Sequence, residues 1–216
     1  MTQLLLRRLP PSATVGCLLL VLTAASSSNA QQTTEPTFVF DTGQPAWRGE
    51  RIELPPGFAR DLGWNGVEQI RFAPGMFKAE ADDFFSYVLV FLLEPGSDVS
   101  ETGLTRELLT YFKGLSTAVM KGKKQTVDTT AFSFTIDKAD QVESAPASAK
   151  GVTAYTGILD WVEPFATQKK QLLNFEVHTW EHNGQAVVLS CVSPLERDQA
   201  LWTELREIRS KFHFEP

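Results

Sequence analysis

The stretch His178-Thr179-Trp180-Glu181-His182 places two imidazoles and a carboxylate within five residues. On an α-helix, residues four apart lie one above the other, so His178 and His182 would share a zinc ion with Glu181 beside it as general base. The surrounding residues argue against a helix. Phe175, Val177 and Thr179 recur at period two, and Asn183-Gly184 favours a type I′ turn before the apolar run "QAVVLSCV". On a strand, His178 and His182 stand about 13 Å apart, too far to share an ion through bonds of about 2.1 Å. The segment reads as a β-hairpin, with no metal ligands and no cofactor implied.

The hairpin brings other groups together. A two-residue turn sets His182 opposite Gln185, His178 opposite Leu189 and Glu176 opposite Cys191, all on one face of the sheet. Cys191 and His178 become diagonal neighbours about 7–8 Å apart at Cα, with Glu176 close by. A thiol, an imidazole and a carboxylate are the components of a cysteine nucleophile. Cys191, His178 and Glu176 are therefore the candidate catalytic residues of one alternative reading, a thiol-dependent enzyme or hydrolase. The apolar setting of "VVLSCV" favours a buried structural cysteine, with His178 and Glu176 in polar packing.

Three further patterns have simpler explanations. Asp41-Thr42-Gly43 after "FVF" resembles the active-site loop of aspartic proteases, where two such aspartates share a proton. No second copy is present and Gln44 departs from that pattern, so an Asp-x-Gly turn is the reading. Ser116 in "GLSTA" echoes a nucleophile elbow, but it falls inside a helical stretch instead of on a strand-to-helix turn. Glu80, Asp82 and Asp83 lack the spacing and glycine of a calcium loop, and read as a solvated turn. The five tryptophans and fifteen phenylalanines read first as core, and alternatively as the lining of an apolar small-molecule carrier.

The elements that must position these residues follow from periodicity and punctuation. "RGERIELP" and "GVEQIRF" read as strands ended by Pro-Pro-Gly and Pro-Gly, and Val88–Leu93, apolar on both faces, reads as a central strand. Leu104, Leu108, Phe112, Leu115 and Val119 form one helical stripe, with Thr102 as N-cap and Gly122 at the end. Phe132, Phe134 and Ile136 alternate along the next strand, "QVESAPASAKG" is a surface loop, and "VTAYTGILDWV" is a strand before the hairpin. Ser193-Pro194-Leu195-Glu196 reads as a capping box opening a last helix striped by Leu201, Leu205, Ile208 and Phe212. "KFHFEP" adds a terminal strand. The order β-β-β-α-β-β-β-β-α-β predicts an α+β domain, a mainly antiparallel sheet with two helices packed on it.

Composition bounds the setting. Arg7-Arg8, the apolar run "VGCLLLVLTAA" and the small residues before Gln31 predict a signal peptide over residues 1–30. Residues 31–46 read as a flexible leader, and 47–216 as a single domain large enough to bury about 70% of its unfolded surface. Residues 1–30 hold two of the 20 basic and none of the 26 acidic residues, so the mature chain carries a net charge of −8. Such a surface excludes nucleic acid as a partner, because phosphate recognition needs a basic stripe. Only Cys191 remains after cleavage, so no internal disulfide forms. No segment of the mature chain approaches the ~20 apolar residues of a transmembrane helix.

The final third, hairpin then capped helix then "KFHF" strand, resembles the ending of PsbP-like extrinsic proteins in its order of elements. That resemblance implies a non-enzymatic accessory role and carries no functional residue across. The expectation is an exported, acidic, non-catalytic binding or accessory module, periplasmic or extracellular, with a protein or small molecule as partner.

Overall fold

The computed structural model describes residues 38–214, and the expected signal peptide lies outside the described residues. The strands are β1 (Arg48–Leu54), β2 (Gly66–Phe72), β3 (Tyr87–Leu93), β4 (Ser133–Lys138), β5 (Thr153–Val162), β6 (Lys170–His182) and β7 (Gln185–Ser193). Helix α1 (Glu101–Gly122) follows β3, and α2 (Ala200–Ser210) follows β7. All seven strands form one sheet in the order β1-β2-β3-β7-β6-β5-β4, with every neighbouring pair antiparallel. The domain is α+β, as the patterning predicts.

Each helix covers one face. Leu104, Leu108 and Phe112 of α1 pack on Leu89, Phe91, Trp161 and Phe175. Trp202, Leu205 and Ile208 of α2 pack on Val88, Val90, Leu189 and Cys191. Side chains alternate across a strand, so β3 sends Tyr87, Leu89, Phe91 and Leu93 to α1 and Val88 and Val90 to α2. Burial on both sides accounts for its unbroken apolar run. Gly114 lets α1 approach the Phe58–Ala59 backbone, since a Cβ there would lie 2.4 Å from the Phe58 carbonyl oxygen.

The hairpin has the expected register: Glu176 opposite Cys191, His178 opposite Leu189 and His182 opposite Gln185. Asn183 and Gly184 take φ of 51° and 82°, the two positive values a type I′ turn requires. The zinc spacing is thus extended along β6.

Four local expectations are corrected. Residues 38–46 are no flexible leader: Val39 and Phe40 are buried beside Trp47, and the Val39 amide donates to Gln69 Oε1 at 2.9 Å. Their apolar side chains gain more from covering the α2 face of the sheet than from exposure. The N-cap of α1 is Ser100, whose Oγ accepts from the Gly103 amide, instead of Thr102. Ser193 does not open α2. It ends β7, where its hydroxyl accepts from Ser86 Oγ and from the Leu195 amide; a turn intervenes before the helix begins at Ala200, with Gln199 as N-cap. Among the described residues, the tail after α2 forms no strand. His213 makes one backbone bond to Val39 O, while Phe212 and Phe214 pack edge-to-face on each other and the Phe214 ring stacks on His182.

Candidate functional site

On the α2 face, Glu176, His178 and Cys191 stand where the hairpin register puts them, but each is engaged elsewhere. Cys191 Sγ is fully buried and donates to the Leu205 carbonyl at 3.3 Å. Burial pushes its thiol up to about 12, against the pull of Arg209. Glu176 accepts from Arg206 Nε and Nη2 and from Arg209 Nη1, at 2.6 to 3.2 Å. Burial raises its carboxyl, but these two arginines outweigh that and hold it below the usual range. His178 is buried with Nδ1 unpartnered. Burial, then the charge of Arg209, lowers its pKa to about 3, against the pull of Glu176, so the imidazole is neutral. A thiolate nucleophile needs a lowered pKa and access, and this thiol has neither. The structure gathers the three on one face without joining them into a relay.

Arg209 is the organising group there. It is 1% exposed, and its guanidinium reaches Glu176, the Glu143 carbonyl at 2.9 Å and the Ser144 carbonyl at 3.4 Å. The loop between β4 and β5 is thereby fastened over a polar hollow of about 340 Å³, lined in part by Asp140, Thr156, His178 and Arg209.

The other sequence candidates hold structural posts. Asp41 Oδ1 accepts from the Gly43 amide and Thr42 Oγ1 from the Trp47 amide, an Asx-type turn. Ser116 sits inside α1 and donates to the Val162 carbonyl. Asp83 Oδ2 accepts from the Gly75 amide. All five tryptophans are buried in the two cores. Among the described residues no group of three His, Cys, Asp or Glu side chains could hold a metal ion, and no helix is long and apolar enough to cross a membrane.

A different site lies on the α1 face, lined by phenylalanines that the carrier alternative named only as a class. Strands β1–β3, α1, the turn after β2 and the β5–β6 loop enclose an apolar pocket of about 100 Å³. Phe58, Phe72, Phe85, Tyr111 and Phe165 supply much of the wall, and Phe77, 47% exposed, stands at its rim. The rings form an aromatic collar in two parts: Phe72–Phe77, Phe77–Phe165 and Phe85–Phe165 make one chain and Phe58–Tyr111 a separate pair, with centroids 5.1 to 5.9 Å apart. Met76 and Leu115 complete the apolar part of the wall.

Glu68 lies in this wall, fully buried. Its Oε1 accepts from the Tyr111 hydroxyl at 2.8 Å; its Oε2 is buried without any donor. Burial, opposed by the Tyr111 hydrogen bond and aided by nearby Glu50, raises its pKa to about 7. The other two fully buried glutamates are answered on both oxygens. Glu107 receives the Gly63 amide and Arg106, and Glu163 receives the amides of Phe165, Ala166 and Thr167 and the Thr167 hydroxyl. Of these three, only Glu68 leaves an oxygen without a hydrogen-bond partner.

The signal for this site was present in strand phase. Ile70 and Phe72 share a face with Glu68, whereas Val67 points the other way. Keeping the phase of Ile70 places a carboxylate among buried residues.

No family model matches the chain, and no curated protein does. Among solved structures it is similar to the Saccharomyces cerevisiae Ran-binding protein Mog1p, at 15% identity and a TM-score of 0.34, over 77% of this chain and 95% of that one. A likeness this low transfers no function.

Proposed function

We propose that the protein is an exported, non-catalytic binding module whose seat for a small molecule is the aromatic pocket beneath α1. The observation that carries this reading is Glu68 Oε2, a buried polar atom with no partner on the wall of a largely apolar pocket. Ligand sites combine apolar walls with a few convergent polar groups, and a buried acceptor left unpaired costs about 1–3 kcal/mol. A ligand that supplies the missing partner recovers that cost. Export is supported by the n-region, apolar run and small residues of the first thirty positions. The thiol-enzyme reading gains nothing from Cys191, whose proton is held by Leu205.

An apolar cavity of roughly 150 Å³ accepts benzene, so a pocket of about 100 Å³ that meets the surface beside Phe77 suits a guest of that order. Saturation-transfer NMR with toluene tests the seat. Signal transfer in the native protein, abolished by Leu115→Trp filling the pocket, is the expected result. Absence of transfer, or equal transfer to the variant, removes the reading.

A further inference from the structure

We propose that the pocket beneath α1 selects an organic cation, an ammonium-type group seated against the aromatic collar with Glu68 Oε2 as its counter-ion. The inference rests on the reading of this pocket as a ligand seat and adds the charge of what fills it.

Composition of the wall is the first argument. It holds two carboxylates, Glu68 inside and Glu50 at the mouth, and no lysine, arginine or histidine. Glu50 and Glu68 lie on adjacent strands as diagonal neighbours two residues apart in register, since Glu50 pairs with Ile70 and Ile52 with Glu68. Neither makes an ion pair among the described residues. Once ionised, these carboxylates repel an anionic ligand and attract a cationic one.

The collar is the second argument. Aromatic faces attract a cation within about 6 Å of the ring centre, and cages of such rings recognise quaternary ammonium groups. Phe77, Phe165, Phe58 and Tyr111 bring four such rings around one volume. The third is the orphan oxygen, buried on a residue of the pocket wall and matched by no donor of the protein's own.

Ionisation links the pieces. Alone in an apolar wall, Glu68 holds its proton up to about pH 7, and a cation arriving beside it favours the carboxylate. Binding therefore releases a proton and tightens as pH rises through that value. The titratable groups facing Glu68 are Glu50 from β1, Tyr87 from β3 and Tyr111 from α1. Burial raises both phenols well above 10, so they stay protonated throughout. Turn and loop residues around them, Phe58, Met76, Phe77 and Phe165, do not titrate.

The test is calorimetric titration of the purified protein with choline and with its uncharged carbon isostere dimethylbutanol, at pH 5.5 and 8.5, in wild type and Glu68→Gln. The expected result is choline bound at least about tenfold more tightly than the isostere at pH 8.5, with that preference lost at pH 5.5 and in the variant. Equal affinity for both probes in wild type at pH 8.5 overturns the cation while leaving the toluene seat standing. Failure of choline, dimethylbutanol and toluene alike overturns both. If Glu68→Gln does not fold, the wild-type pH dependence decides alone: a flat choline profile sinks the inference.

Discussion

Glu68 and His178 lie on opposite faces of the sheet, and burial moves their titrations in opposite directions. Glu68 rises from 4.5 to about 7 on folding, so between those values the native state holds a proton that the unfolded chain has lost. Stability is fully present below pH 4.5 and falls as pH rises toward 7, by roughly 3 kcal/mol at most. His178 falls from 6.5 to about 3; there the unfolded chain takes the proton, and stability is lost as pH drops from 6.5 toward 3. Between about pH 4.5 and 6.5 the two slopes oppose each other. Glu68→Gln separates them: urea unfolding is expected to show the variant more stable than wild type by about 2–3 kcal/mol at pH 8 and little changed at pH 4. A stability difference that does not vary with pH would show that Glu68 ionises as freely in the fold as out of it.

At the scale of elements, Arg209 shows what one helix does for a loop beyond its own length. Position 209 continues the buried stripe of Leu205 and Ile208 in α2, and the stripe ends in a guanidinium instead of a methyl group. Arg209→Met removes the donors to Glu143, Ser144 and Glu176. Arg206 still answers Glu176, so the loss is expected at about 2–4 kcal/mol. Faster amide hydrogen exchange concentrated in residues 139–152 is the sign to look for; uniform protection would deny the fastening role. The same elements show what sequence makes legible. Period-two runs and Asn183-Gly184 gave the hairpin, its register and the face shared by Glu176, His178 and Cys191, because these depend on neighbours along the chain. The arginines that claim Glu176 come from a helix some thirty residues away, and no local pattern pairs them. Ser193 misled because its hydroxyl serves a sheet contact with Ser86, 107 residues distant. The aromatic pocket stayed hidden for the same reason: its wall is drawn from five separate stretches of chain, and only the phase of Glu68 with Ile70 hinted at it.

For the whole molecule, strand order is the feature with the furthest reach. The chain builds β1-β2-β3, crosses on α1 to the far edge, and walks back through β4, β5 and β6 until β7 pairs with β3. Each half is thus a meander of sequence-local pairings, and the seam between them is the β3–β7 ladder. Local pairings form readily, while the seam must close a long loop. Neither half has a finished core, since α1 of the first packs on β4 and β5 of the second, and the aromatic pocket borrows Phe165 from across the seam. The covalent link between the halves, after α1 ends near Lys123, runs through exposed residues. A gene divided after Thr126 therefore encodes two polypeptides that should find each other. Co-expressed, they are expected to purify together and regain toluene binding; each alone should be insoluble or unfolded. Such a pair would be a reporter whose signal depends on reunion, with a small molecule in the pocket acting as the clasp.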